Sequence, residues 1–264
     1  MSSATPTSSA TSEASPTDAG RPLTARERVR SEVTGEILTA ARRQLADEGA
    51  AALSLRAIAR ELGMSSSAIY RYFPSRDELL TQLIVEAYES VGRAAQQAQA
   101  ATRGQSAADQ LRAVWRAVRS WALAHPHEYA LIFGSPVPGY RAPAATIAPA
   151  TMVPWVLLEI VSGAVGQPPA PPQDPSPELL ATALSPLRSD VPTSVVDDPT
   201  LLISLTSWAT LFGAISFELF GHTHNVIAED QRARSAVFDA QIDLMLFLLG
   251  VPSGTGSPGQ NSTT

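Results

Sequence analysis

The stretch 55-LRAIARELGMSSSAIYRYFPSRDEL-79 determines how this chain folds. In its first part, Leu55, Ile58 and Leu62 share one face of a helix, and charged side chains fall on the other. Gly63 can adopt positive φ without steric cost, so it predicts the end of that helix and a sharp turn. Ser65 is a suitable N-cap for a second helix. The segment predicts two short helices joined by a glycine turn, which is a helix-turn-helix.

The same residues are also compatible with an ordinary helical hairpin that has a polar outer face. Ala59 and Ala68 are small and allow the two helices to approach closely. Pro74 stops the second helix, and Ser75 caps a third whose first turn is acidic, the favourable sign at a helix N-terminus. The residues around Pro74 decide between the two interpretations.

The string Ala-Ile-Tyr-Arg-Tyr-Phe-Pro-Ser-Arg-Asp-Glu-Leu at residues 68–79 resembles the signature of TetR (tetracycline repressor-like) family transcriptional regulators. In that family a tyrosine-x-tyrosine/histidine-phenylalanine run closes the recognition helix, and a basic residue opens the next helix. This chain has Arg76 where lysine is commoner, and arginine also binds phosphate. Residues 25–48 resemble the first helix of the same domain, and Gly49 ends it. The resemblance is specific from residue 25 to about residue 90.

The resemblance implies that the helix-turn-helix contacts an operator. Side chains at the start of the recognition helix would read base edges, while the tyrosines and Arg76 would mostly position the helix on the phosphates. The predicted DNA-contacting residues are Ser54, Arg56, Ser65, Ser66, Ser67, Tyr70, Arg71, Tyr72 and Arg76.

Charge is divided unevenly along the chain, whose formal net charge is −6. Residues 21–80 carry ten arginines against eight acidic residues, whereas residues 81–264 carry nine arginines against fifteen acidic residues. The basic part therefore contains the helix-turn-helix, as phosphate binding requires. Because the excess is small, one subunit should bind DNA weakly. Two copies with recognition helices about 34 Å apart would bind successive major grooves.

Composition excludes several kinds of chemistry. All 19 basic residues are arginine, and the chain has neither lysine nor cysteine, so Schiff-base and thiolate catalysis are not available. Phosphate-binding loops, nucleophile elbows and dinucleotide-binding fingerprints do not occur. The chain begins without the charged and apolar regions of a secretory signal. We expect a cytoplasmic protein that is not an enzyme and has no cofactor.

The predicted fold class is all-α, with a three-helix DNA-binding domain at residues 21–80 and a larger regulatory and dimerisation domain at residues 81–250. Residues 1–20 and 251–264 are predicted to be disordered tails, because they offer little to bury. The arginines between residues 21 and 30 suit either phosphate contact or solvated surface.

Periodicity and proline positions predict the helices of the larger domain. The proline-rich residues 167–198 are predicted to be a long loop around a short helical turn at 178–184. The predicted helices span residues 75–101, 107–125, 128–133, 144–165 with a kink at Pro154, 199–221 and 228–250.

The last two predicted helices are unusually apolar. No charged residue occurs from position 199 to position 217, but the interspersed serines, threonines and glycine make a transmembrane span a poor interpretation. In TetR-like proteins the final two helices of each subunit form a four-helix dimer bundle. The resemblance therefore implies a homodimer, with interface residues Leu205, Trp208, Phe212, Phe238 and Met245.

Residues 125–136 and 208–222 resemble the regulatory half of one TetR subgroup, which implies a small-molecule pocket among the middle helices. The alternative is that these aromatic side chains are ordinary core. Few charged groups are available to line a pocket, so we expect a mainly apolar effector. The candidate lining residues are Trp115, Tyr129, Phe133, Trp155, Phe212 and Phe217.

No metal site is predicted. Glu218 and His222 lie one helical turn apart, but spacing supplies no third ligand. The expected function is that of a ligand-responsive regulator, most simply a repressor that binds a palindromic operator as a homodimer and is released by its effector. The alternatives are a helical protein-interaction module with a vestigial DNA-binding head and a helical enzyme.

Overall fold

The computed structural model describes residues 24–164, 176–190 and 196–251. The described residues form helices and turns and contain no β-strand, which confirms the predicted all-α fold class. The predicted tail 1–20 and parts of segments 167–198 and 251–264 lie outside the described residues. The helices are α1 Ala25–Glu48, α2 Leu55–Glu61, α3 Ser66–Ile69, α4 Arg76–Ala101, α5 Ala107–Ala124, α6 Pro126–Phe133, α7 Ile147–Ala150, α8 Met152–Ala164, α9 Pro177–Asp190, α10 Asp198–Leu219 and α11 Gln231–Leu248.

The N-terminal helices α1, α2 and α3 and the start of α4 form a head with its own core. A capping box starts α1, because the Thr24 hydroxyl accepts from the Glu27 amide and the Glu27 carboxylate accepts from the Thr24 amide. Gly49 ends the helix at φ +79°. The head core is formed by Ile37, Leu38, Ala40, Ala41, Leu53, Leu55, Ile58, Ala59, Ile69, Phe73, Leu79, Leu80, Leu83 and Ile84.

Helix α4 connects the head to the rest of the molecule. Ser75 caps it by accepting from the Glu78 amide at 3.1 Å. Its first half contributes Leu79 and Ile84 to the head core, and its second half contributes Val91 to the core of the larger body. The domain boundary predicted at residue 80 therefore falls inside a continuous helix, and the head core extends past it.

The larger body is built from α4, α5, α6, α8, α10 and α11. Trp115 and Tyr129 are fully buried at its centre. Tyr129 donates its hydroxyl to the Phe212 carbonyl at 2.9 Å and lies 2.7 Å from the Ser216 hydroxyl. Burial raises the pKa of Tyr129 to about 12, so this hydroxyl stays protonated at neutral pH. The body core also includes Val251, which was predicted to begin the C-terminal tail.

Two predictions for the middle of the chain are wrong. The single helix expected at 144–165 is a 3₁₀ turn, Ala144–Thr146, followed by α7 and α8, which are separated at Thr151. Pro154 explains the break, since it has no amide hydrogen and its ring clashes with the carbonyl of the residue four positions earlier. The short turn expected at 178–184 is the 14-residue helix α9. It packs through Leu184 against Leu158 and Leu201.

Two segments, Ala144–Ala164 and Asp198–Leu219, have the length and hydropathy that a membrane-crossing helix needs. The core helices of soluble proteins meet the same test. Both segments contribute fully buried side chains to the body, including Leu157 and Val161 in the first and Leu211 and Ile215 in the second. Because 39% of each segment is buried inside the subunit, the core accounts for part of their apolar character.

A buried ion pair joins three helices of the body. Arg119 of α5 binds Glu218 of α10 through two hydrogen bonds of 2.7 Å, and it also donates to the Ser235 hydroxyl of α11 at 3.2 Å. The side chains of Arg119 and Glu218 are each 10% exposed. The Arg119 guanidinium also lies over the Phe238 ring, 5.1 Å from its centroid. Glu218 is thus engaged in a structural pair.

We expect Glu218→Ala to lower the free energy of unfolding by about 3–5 kcal/mol, because it leaves the Arg119 charge buried and unpaired. Chemical denaturation followed by circular dichroism measures this change. Glu159→Ala, at an exposed position of α8, is the control and should change stability by less than about 0.5 kcal/mol. Replacing both partners, as Arg119→Met with Glu218→Leu, should recover most of the loss. Equal effects of Glu218→Ala and Glu159→Ala would contradict the role of the pair.

Candidate nucleic-acid interface

The turn between α2 and α3 presents a polar surface on a buried frame. Gly63 has φ +66° in this turn, as the sequence predicted. Ile58, Ala59 and Ile69 are buried beneath it. Ser65, Ser66, Ser67, Tyr70 and Arg71 are exposed on the outside, and Arg56 is exposed on α2. The structure therefore brings six of the nine predicted DNA-contacting side chains to one solvent-facing region.

Two of the predicted serines act as helix caps. The Ser65 hydroxyl accepts from the Ala68 amide at 3.2 Å and fixes the start of α3. The half-buried Ser54 caps α2, and its own amide donates to Gln44 Oε1 at 2.9 Å. These bonds position the two helices. Ser66 and Ser67 have their backbone in the first turn of α3, and their side chains point to solvent.

Helix α3 is shorter than the predicted recognition helix, since it ends at Ile69 and is a single turn. Tyr70, Arg71 and Tyr72 therefore lie in the turn that follows it. Tyr70 is 40% exposed and can reach a ligand. Tyr72 is half-buried and packs against the head core, so only part of its ring is available to a partner.

Arg76, the predicted phosphate ligand, is turned inward. Its Nε donates to the Leu53 carbonyl at 3.1 Å, and one terminal nitrogen donates to the carbonyls of Ala50 and Ala51 at 2.8 and 3.3 Å. The other terminal nitrogen lies 3.7 Å from Asp77. The guanidinium is thus occupied by the Leu53 carbonyl and by carbonyls of the 3₁₀ turn Ala50–Ala52, which precedes α2. This geometry favours a bracing role over the predicted phosphate contact.

Other arginines of the head divide into paired and free groups. Arg42 is paired with Glu86, and Arg43 is 2.6 Å from Glu61. The exposed arginines that make no ion pair or side-chain hydrogen bond with another described residue are Arg26, Arg28, Arg56, Arg60 and Arg71. Arg60 was missed by sequence reasoning, although it lies one turn after Arg56 on the same helix. The free arginines are the best-placed cations for phosphate.

The six residues predicted to line an effector pocket do not all meet. Tyr129, Phe133 and Phe212 form one aromatic cluster, with ring centroids 5.1 Å apart for Tyr129–Phe133 and 4.0 Å apart for Phe133–Phe212. Trp115 lies in the same core beside Phe238. Trp155 belongs to the separate cluster around Leu158.

Phe217 is also separate from the aromatic cluster, because its side chain is 59% exposed. It lines an open groove of about 530 Å³ between α10 and α11. Of the six predicted lining residues, the structure brings together Tyr129, Phe133 and Phe212, and it places Trp115 elsewhere in the same core.

The predicted dimer residues are also divided by the structure. Phe212, Phe238 and Met245 are buried inside the subunit, so the prediction that they form an intersubunit surface is wrong for these three. Leu205 is exposed and Trp208 is half-buried. Sequence reasoning did not assign to the interface the exposed apolar residues on α10, α11 and the segment between them, one of which, Phe217, it assigned to the pocket; the others are Phe220, Val226, Leu244, Phe247 and Leu248.

A helix-turn-helix with an exposed polar surface, free arginines beside it and a large helical body defines a DNA-binding regulator. Residues 37–83 match the family model described as bacterial regulatory proteins, tetR family. Residues 111–245 match the model described as tetracyclin repressor-like, C-terminal domain. These matches cover the head and the body separately.

Relatives of known sequence and structure agree with these matches. The HTH-type transcriptional regulators Rv1816 of Mycobacterium tuberculosis and Mb1846 of Mycobacterium bovis are each 39% identical to this chain over 226 residues, which is 85% of this chain and 95% of theirs. The crystal structure of the regulatory protein SCO4313 matches with a TM-score of 0.69 at 35% identity, over 85% of this chain and 100% of that one. The chain belongs to the TetR family of transcriptional regulators, which are not enzymes.

We expect Arg76→Ala to lower the free energy of unfolding by about 1–3 kcal/mol, because the carbonyls of Leu53 and Ala50 lose a charged donor in part-buried hydrogen bonds and the Ala51 carbonyl loses one in an exposed bond. DNA affinity should fall while the salt dependence of binding stays unchanged. Arg56→Ala is the matched control: stability should be kept, and the slope of log K against log salt should become shallower. A shallower slope for Arg76→Ala would instead identify Arg76 as a phosphate ligand.

Proposed function

We propose that this protein is a cytoplasmic repressor that binds a palindromic operator as a homodimer and leaves it when a small, mainly apolar effector binds. The observation that carries the proposal is the exposed surface of Ser65, Ser66, Ser67 and Arg71 on the helix-turn-helix, beside arginines that make no ion pair with another described residue. Serine hydroxyls can donate to or accept from base edges in the major groove, and arginines bind phosphates.

Dimerisation is supported by where the apolar surface lies. Seven of the eleven large apolar side chains that are exposed in the described residues lie on α10, α11 or their connection: Leu205, Phe217, Phe220, Val226, Leu244, Phe247 and Leu248. Phe247 is 77% exposed and Leu244 59%. A concentrated apolar patch on a soluble protein marks an interaction surface. A second copy using the same surface would bury it symmetrically.

Effector binding is proposed near the aromatic cluster of Tyr129, Phe133 and Phe212. Members of this family typically bind small molecules, and an aromatic cluster in the body core suits an apolar one. The Trp115 Nε1 atom is fully buried and donates to no described residue. An effector with one acceptor group would satisfy this donor, since an unpaired buried donor is unfavourable by about 1–3 kcal/mol.

Helix α6 gives such an effector a route to the head. Tyr129 on α6 is bonded to α10, and Phe133 stacks on the same helix. Leu131 of α6 packs against the head core, and Ile132 packs against both the head core and the body core. Tyr140, in the segment that follows α6, lies 2.9 Å from Thr81 of α4 through the two hydroxyls. A shift of α6 would therefore move the head relative to the dimer helices.

We expect the double variant Leu244→Asp with Phe247→Asp to be monomeric, because the charges would be buried in the proposed dimer surface. Analytical ultracentrifugation measures the mass, and operator affinity should fall together with dimerisation. Leu179→Asp, which is 65% exposed on α9, is the matched control and should remain dimeric. A dimeric double variant would place the interface elsewhere.

DNA binding is tested by footprinting the wild-type protein on the intergenic DNA beside its own gene. A protected palindrome with half-sites one or more helical turns apart is expected. Arg71→Gln should make the slope of log K against log salt shallower by about 0.9 per lost phosphate contact, or about 1.8 per dimer. Ser66→Ala and Ser67→Ala should change base preference with little effect on the slope. A protein that protects no DNA would favour the protein-interaction alternative.

A further inference from the structure

Arg30 on α1 reaches across the head to the end of the recognition helix. Its terminal nitrogen donates to the Arg71 carbonyl at 3.2 Å, and its guanidinium carbon lies 5.2 Å from the centroid of the Tyr72 ring. The two contacted residues lie in the turn that follows α3. They connect the first helix of the head to the one-turn recognition helix.

These contacts matter because α3 is too short to hold its own orientation. A single helical turn fixes several dihedral angles for few hydrogen bonds. From below, α3 is held by the buried side chains of Ile69 and Phe73. On the outer side, Arg30 contacts the end of α3 through its hydrogen bond to the Arg71 carbonyl and its cation–π contact with Tyr72. The guanidinium contributes a donor to the carbonyl and a cation to the ring face.

The first two turns of α1 contribute no buried side chain to the head core. Residues 24–32 are all exposed, and the buried part of the helix begins at Ile37. The capping box at Thr24 and Glu27 nevertheless keeps this segment helical. Hydrogen bonds from Thr24 lower the pKa of the Glu27 carboxylate, which therefore stays ionised in its capping role at neutral pH. Apart from Arg30, this helical extension makes no described contact with the recognition helix, and its exposed side chains are available to an external partner.

Helical geometry separates the two free arginines of this extension. Arg26 is four residues before Arg30 and so lies on the same face, the one turned toward the recognition helix. Arg28 is two residues from each and lies roughly 200° around the helix from Arg26, on the opposite face. Both side chains are exposed, and neither is paired with another described residue.

We propose that the N-terminal extension of α1 is a second DNA-contacting element. Arg26 binds a backbone phosphate beside the half-site, and Arg30 is a positioning residue that fixes the recognition helix relative to this extension. Arg28 faces away from the DNA. The inference rests on the proposed DNA-binding function and extends the contact surface beyond the helix-turn-helix.

The experiment compares Arg26→Gln, Arg28→Gln and Arg30→Gln in the full-length protein, using the footprinted operator and a random duplex at several salt concentrations. Arg26→Gln should weaken binding to both duplexes and make the slope shallower by about 1.8 per dimer. Arg28→Gln, which removes an arginine that is also exposed and unpaired among the described residues, should keep the wild-type slope. Arg30→Gln should keep the slope but reduce the preference for the operator by about tenfold, roughly the effect of losing one well-placed base contact.

Arg30→Lys and thermal unfolding control for misfolding of the head. Lysine keeps the cation over Tyr72, so this variant should recover part of the operator preference at an unchanged unfolding temperature. Equal slopes for Arg26→Gln and Arg28→Gln would overturn the proposed phosphate contact. A shallower slope for Arg30→Gln with full operator preference would overturn its positioning role. If the wild-type protein binds no DNA, the proposed function fails as well, whereas failure of this inference alone leaves wild-type binding intact.

Discussion

The arrangement of head and body depends on α4, whose two halves are buried in different cores. Leu79, Leu80 and Leu83 are fixed in the head, and Val91 and Ala95 are fixed in the body. Burial of each large side chain stabilises the fold by about 1.5–3 kcal/mol, so removing either half of the helix from its core is energetically unfavourable. The helix therefore connects the two cores directly, and a change in the body can reach the head by tilting α4 or by moving α6 against it.

The head in turn uses guanidinium groups to hold short elements that hydrophobic burial cannot fix alone. Arg76 binds the carbonyls of the 3₁₀ turn before α2, and Arg30 binds the carbonyl that follows α3. Each guanidinium gives its carbonyl partners a charged donor at a point where the backbone leaves a regular α-helix, although the Ala50 carbonyl also accepts from the Leu53 amide. Positive charge in the head therefore has two uses. Arginines with carbonyl partners stabilise the frame, and those without partners, such as Arg56 and Arg71, are available to phosphate.

Local signals in the sequence predicted the elements that such signals control. The bounds of α1, the turn at Gly63 and the cap at Ser75 follow from capping and glycine chemistry within a few residues. Long-range choices could not be read in this way. Nothing near Arg76 shows that its partners lie 23–26 residues earlier. Phe238 and Phe247 are both apolar residues on one helix, yet packing against α5 buries the first and leaves the second exposed.

The polar contacts between α5 and α11 explain why one apolar face of α11 is turned away from the subunit. Arg112 and Arg116 bind Asp243 and Asp239 of α11 at 2.8 Å, and Arg119 continues the row to Ser235. Since these α11 residues are four apart, the row follows one edge of the helix. Burial of Ile242 and its neighbours fixes the adjacent edge in the core. Because the ion pairs fix one edge of α11 and the core fixes the adjacent one, Leu244, Phe247 and Leu248 face away from the subunit. A second copy can cover them there.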